Sequence, residues 1–141
     1  MTPKAHVTRL GITWMVETLP HEGSPAEMHA IDLLAPVTFR KDVAQALDLS
    51  RGRMERYRQG IEEIPDGVRN RIRQYVVAYS LACIKRAIER LSDEPWNRDF
   101  VIADIYCYSA ALSVITEGRY SFLNTDGMTA ADVIKGCGWS A

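Results

Sequence analysis

This chain of 141 residues has little cysteine, no long apolar run and almost no net charge, and each shortage excludes something. Its three cysteines, Cys83, Cys107 and Cys137, are odd in number and far apart. They read as reduced, mostly buried thiols rather than as a disulfide framework or a metal set. No stretch approaches the roughly 18 uninterrupted apolar residues of a membrane span, and no apolar run with a cleavage site opens the chain. The expectation is a soluble cytoplasmic protein with no membrane partner. His6, His21 and His29 lack ligand spacing with cysteine or with each other, so no metal is expected. A glycine-rich phosphate loop is missing. Asp99, Asp104 and Glu117 form no convincing carboxylate pair, and Cys107 has no base nearby to activate it. No cofactor and no enzymatic activity are expected. With a net charge of −1 there is no global basic signature, so any nucleic-acid role must rest on local charge.

Local charge is present. From Thr38 to Tyr75, nine Lys and Arg face six Asp and Glu, leaving +3 in this segment and −4 in the rest. Apolar residues make up 47% of the chain, enough for a core, and their spacing is helical nearly throughout. Met28, Ile31 and Leu34 share one helix face after Ser24-Pro25-Ala26-Glu27, which has the form of a capping box. Pro36 ends that helix. Thr38 and Ser50 stand as caps for two short helices, and Gly60 stands where a left-handed residue closes the second. A long helix follows Ile64-Pro65-Asp66, with Val68, Ile72, Val76, Tyr79, Cys83, Ala87 and Leu91 at three- and four-residue spacing. Ser92 to Pro95 breaks it. Asn97 is the expected cap of the next helix, with Trp96 and Val101 as a hydrophobic staple. That helix is apolar nearly all round from Val101 to Ile115. Such a helix needs cover on most sides, which implies a second subunit. Thr129 starts a last short helix ending at Gly136. At the N-terminus, Val7, Leu10, Trp14, Met15 and Leu19 form a short apolar stripe, readable as an arm, a partner-binding helix or a strap over the core.

The stretch TFRKDVAQALDLSRGRMERYRQG, Thr38 to Gly60, carries the chemistry. Two helices that cross steeply need a small residue where they touch and apolar residues locking them from beneath. Ala44 is the small residue, and Val43, Leu47, Leu49, Met54 and Tyr57 are the lock. With these inward, Arg51, Gly52, Glu55 and Arg56 face out. Arg51 and Arg56 are the expected base readers, since arginine pairs bidentately with guanine. Gly52 lets backbone approach DNA. Glu55 would accept from cytosine or pair with Arg51 or Arg58. Arg40, Lys41, Ser50, Arg53 and Arg58 are the expected phosphate contacts.

The run from Val43 to Pro65 resembles the Cro/repressor type of helix-turn-helix, including its close, Tyr57-Arg58-Gln59-Gly60, then Ile64-Pro65-Asp66. Ser24 to about Leu123 resembles the larger anti-CRISPR-associated autorepressors. Three stretches carry that likeness: Glu27-Met28-His29-Ala30-Ile31-Asp32-Leu33-Leu34, Ile64-Pro65-Asp66-Gly67-Val68, and Ser109 to Gly118. Asp48 stands where that family usually has glycine in the turn, and Tyr57 where tryptophan is commoner. The outward residues of the second helix are not the family's, so no DNA sequence carries over. The resemblance implies an all-α fold, with a lambda-repressor-like helix-turn-helix domain and a helical dimerisation region. It also implies a homodimer bound to an inverted repeat in double-stranded DNA, repressing its own operon. The expected division is an extension at 1–23, a DNA-binding domain at 24–75 and a dimerisation region at 76–141. Ile102, Ile105, Tyr106 and Leu112 are the expected dimer interface. Two other readings stay open: a phage- or plasmid-type inhibitor or adaptor that binds a host protein, and an RNA-binding regulator of its own message.

Overall fold

The computed structural model describes the backbone of residues 4–9, 12–17, 25–35, 37–38 and 40–139, with side chains for all of these except 4–9, 12–17, 40 and 41. Six α-helices follow one another among the described residues: α1 Ala26–Leu33, α2 Arg40–Leu47, α3 Arg51–Gln59, α4 Asp66–Asp93, α5 Arg98–Ile115 and α6 Ala130–Gly136. A short 3-10 turn, Pro95–Asn97, joins α4 to α5. From residue 25 onward the described chain is helices and turns, as the periodicity predicts.

The N-terminal stripe is not helical. Two strands, β1 Lys4–Arg9 and β2 Ile12–Glu17, pair antiparallel with Val7 opposite Trp14 and His6 opposite Met15. Leu10 and Leu19, also assigned to that stripe, lie outside the described residues. The segments KAHVTR and ITWMVE hold Val7, Thr8, Ile12, Thr13, Trp14 and Val16, residue types that suit a pleated surface. β1 runs alongside α5, so of the three readings of this segment the strap is the nearest.

Helix starts follow the expected chemistry in part. Ser50 caps α3, its hydroxyl accepting from the Arg53 N–H at 3.1 Å, and Gly60 closes α3 with φ of 74°. Thr129 and Asp132 form a reciprocal capping box on α6, at 3.2 and 2.9 Å. At α1 the expected capping box involves a residue outside those described, Ser24. Pro25 occupies the cap position without a side-chain bond. Glu27 has partners on another helix. It is buried and pairs with Arg73 at 3.2 Å and Arg69 at 3.5 Å, both on α4. A carboxylate removed from water gains more from two guanidinium groups than from one backbone N–H. Arg69 and Arg73 are therefore ties rather than solvated charges, and Arg73 also lies over the Trp139 ring at 5.1 Å. The staple at α5 fails: Trp96 is 75% exposed, and Asn97 donates its amide to Glu94 instead of capping the helix.

One core joins every α-helix, drawing on Met28 and Leu33 of α1, Val43 of α2, Tyr57 of α3, Ile72 and Val76 of α4, Leu112 of α5 and Val133 of α6. α4 is 28 residues long, about 42 Å at 1.5 Å per residue. It passes without a break through the division expected between residues 75 and 76. α5 lies against α1, α4 and β1. Its all-round apolar character thus finds its cover inside a single chain, and the argument that it requires a second subunit does not stand.

Candidate nucleic-acid interface

α2 and α3 are joined by Asp48, Leu49 and Ser50. Asp48 takes the left-handed conformation, φ 54°, which aspartate tolerates better than most residues because its short polar side chain bonds locally. The turn is fixed by backbone bonds from Asp48 N–H to the Gln45 carbonyl, 3.2 Å, and from Leu49 N–H to the Ala44 carbonyl, 3.0 Å. Beneath it Val43, Ala44, Leu47, Met54 and Tyr57 are buried, and Leu49 is half-buried. The six residues expected to form the lock thus lie in the core or packed against it.

That lock leaves Arg51, Gly52, Arg53, Glu55 and Arg56 exposed, with Gln59 beside them. Arg56 lies across the outer face of α3, its Nη1 about one van der Waals contact, 3.8 Å, from where a Cβ on Gly52 would stand. Glu55 turns toward the C-terminal end, accepting from Arg58 and from Gln59 Nε2 at 3.1 Å, so of its two foreseen roles the pairing with Arg58 is seen. Ser50 is exposed and caps α3. The side chains of Arg40 and Lys41 lie outside the described residues.

Arg58 stands apart from its neighbours. Its Nε donates to Asp32 Oδ2 at 2.9 Å and its Nη2 to Asp32 Oδ1 at 2.8 Å, a two-pronged fork onto α1. Its side chain is only 19% exposed. Burial works against its charge, but the bonds to Asp32 and Glu55 outweigh it and hold its pKa above the usual arginine value. The expected phosphate contact is thus already engaged in fastening α3 to α1, because a fork-on-fork carboxylate pair is the strongest partner within its reach.

Glu62 was not foreseen as part of this face. Its carboxylate lies 3.0 Å from Arg56 Nε and 3.8 Å from Arg53 Nε. Arg51 has no partner among the described residues. α3 also differs from the other described α-helices in its first turn. They carry Glu27, Asp42, Asp66, Asp99 and Asp132 there, whereas α3 has arginine and no acid. An acid at a helix N-terminus is favoured by the helix dipole, and arginine is disfavoured unless an outside anion compensates.

The four expected interface residues of α5 do not form one surface. Leu112 is fully buried in the main core, and Ile105 is buried with Ala87 and Val101. The chain's own packing has taken both. Ile102 is half-buried and Tyr106 is 50% exposed, so these two remain at the surface one helical turn apart.

Elsewhere, a cleft of about 260 Å³ between α4 and α5 is lined by Tyr79, Cys83, Arg86, Arg90, Asp104 and Tyr108. Its two tyrosines meet edge-on, Tyr79 to Tyr108 at 6.0 Å, and Tyr79 also stacks on Tyr75 outside the cleft at 5.5 Å. Burial, aided by the Cys83 thiol and Tyr79, pushes the Tyr108 hydroxyl far above the usual tyrosine pKa, so it stays a neutral donor. Among the described residues no group of three His, Cys, Asp or Glu comes together as a metal site, and no helix is long and apolar enough to cross a membrane. No family model matches the chain, and no curated protein or solved structure does so.

Proposed function

We propose that the chain is a sequence-specific regulator that binds double-stranded DNA through α2 and α3 used as a helix-turn-helix, and that it represses its own operon as a homodimer. The observation that carries this reading is the outer face of α3. Arg51, Arg53 and Arg56 stand exposed on a helix locked from beneath by Ala44, Met54 and Tyr57, and its first turn holds arginine where the other helices hold an acid. A face built that way at the cost of helix-dipole energy suits an external polyanion. Arg51, unpaired among the described residues, is the first base reader. Arg56 is the second, and Arg53 with the Ser50 cap belongs to the phosphates, along with Arg40 and Lys41 at the start of α2. Two such faces held about 34 Å apart would enter successive major grooves of an inverted repeat. The dimer surface is then the Ile102 and Tyr106 side of α5. This fits the resemblance to the Cro/repressor type and to the anti-CRISPR-associated autorepressors.

The test is binding to duplex DNA from just upstream of the coding sequence against a scrambled duplex, across a salt series. A preference of about 10³ or more near physiological salt is the expected result. Equal, weak binding that salt abolishes would leave the arginines as generic charge. One observation favours a second reading in that case. Ile61, next to the charged face, is 71% exposed, and a large apolar side chain beside paired charges suits a protein partner of the inhibitor or adaptor type.

A further inference from the structure

Left-handed Gly60 turns the chain back on α3 as it leaves the helix. The N–H groups of Ile61 and Glu62 then both point at the Arg56 carbonyl, at 3.0 and 3.3 Å. This close fixes where residue 62 falls. Its side chain lands beside the outward arginines, 3.0 Å from Arg56 Nε and 3.8 Å from Arg53 Nε. The three side chains are 36%, 48% and 50% exposed, for Glu62, Arg56 and Arg53 respectively. Pairs this exposed are weak and exchange readily with a competing anion. Two of the three outward guanidinium groups of α3 therefore carry an internal anion, and Arg51 has none among the described residues.

We infer that Glu62 is a specificity-determining residue that acts by competing with phosphate, an inference that rests on the DNA reading above. A phosphate approaching Arg53 or Arg56 must displace the Glu62 carboxylate and then lie beside it, so each such contact gains less than a free arginine would give. On a random duplex nearly all of the attraction comes from phosphates, and Glu62 weakens it directly. On the operator Arg56 turns instead to guanine O6 and N7, neutral acceptors that the Glu62 carboxylate repels less than it repels a phosphate. The carboxylate thus lowers non-specific binding more than specific binding, and the gap between them widens.

Glu62→Gln keeps the shape and removes the charge. Glu63→Gln is its control, since Glu63 is exposed, has no ion pair among the described residues and changes net charge equally. Wild type and both variants are titrated with the upstream duplex and its scrambled counterpart between low and physiological salt. The expected result is a gain of about three- to tenfold on the scrambled duplex for Glu62→Gln, a smaller gain on the upstream duplex, and a salt slope steeper by about one. Glu63→Gln should move these quantities little. An unchanged preference between the two duplexes in Glu62→Gln overturns the inference, as does an equal effect of Glu63→Gln, which would make the cause overall charge. A wild-type protein with no preference for the upstream duplex overturns the DNA reading itself, and this inference with it.

Discussion

Arg51 and Arg58 lie two turns apart on α3 and carry the same charge, yet their surroundings assign them opposite work. Arg58 is held by the Asp32 fork and is mostly covered, whereas Arg51 is exposed with no partner among the described residues. Arg51→Ala should therefore leave thermal stability nearly unchanged and cost roughly 1–3 kcal/mol on the operator, relaxing base choice at one position. Equal loss on operator and random duplex would remove its base-reading role. Asp32→Ala should do the reverse. It strips the fork from Arg58 and loosens α3 from α1, at a cost of about 1–2 kcal/mol after allowing for partial exposure. Urea unfolding reads this directly, and an unmoved midpoint would mean that water replaces Asp32 without loss. Neither Asp32 nor Glu62 was legible as a partner in the sequence. Asp32 is 26 residues from Arg58, and only the docking of α1 brings it near. Glu62 is close in sequence to Arg56, but only the left-handed turn at Gly60 aims it back. That the arginine face exists could be read from spacing alone, but not which of its members are already engaged.

At the scale of elements, helix limits are legible in the sequence where two signals agree. α3 has a serine cap, an apolar pair at Met54 and Tyr57, and a closing glycine, and its limits fall where those residues put them. α4 and α5 follow their three- and four-residue repeats. The N-terminal stripe shows what one signal is worth. Val7, Leu10 and Trp14 fit helical spacing, but the same segment is rich in β-branched residues, and it pairs as a hairpin over six residue pairs. Short apolar runs cannot separate the two periods. The burial of Glu27 against α4 was hidden for a different reason, since a motif read locally cannot foresee two arginines on a distant helix. The lock under α3 yields a sharper prediction. Met54 is 4% exposed between α2 and α3, so Met54→Asp places a charge with no partner in apolar surroundings and should cost about 3 kcal/mol or more. Circular dichroism melting would show loss of a cooperative transition or a large fall in its midpoint. A wild-type profile would mean that the α2–α3 contact opens to water and is not a lock.

At the scale of the whole molecule, the question is whether α5 is an interface or a core. From sequence an apolar helix of this kind demands cover without saying whose. In the structure the cover is α1, α4 and β1 of the same chain, and a long α4 runs through the division expected between a binding and a dimerising part. Ile105 and Tyr106 are adjacent in sequence and separate the possibilities. Ile105 is 7% exposed, packed with Ala87 and Val101, whereas Tyr106, about 100° further round the helix, is 50% exposed. Ile105→Lys should destabilise the protomer itself, by about 3 kcal/mol or more, because a lysine ammonium there has no water. Tyr106→Glu should leave the melting midpoint of the isolated protomer nearly unchanged. If the Ile102 and Tyr106 side of α5 joins two copies, Tyr106→Glu should turn a dimer into a folded monomer by sedimentation. It should also cut operator affinity far more than affinity for a single half-site, since a dimer holds both recognition helices at the spacing of the repeat. A Tyr106→Glu protein that remains dimeric would move the interface off this face. A wild-type protein that sediments as a monomer and binds the operator no better than a half-site would remove the paired mechanism while leaving α3 as a single reader.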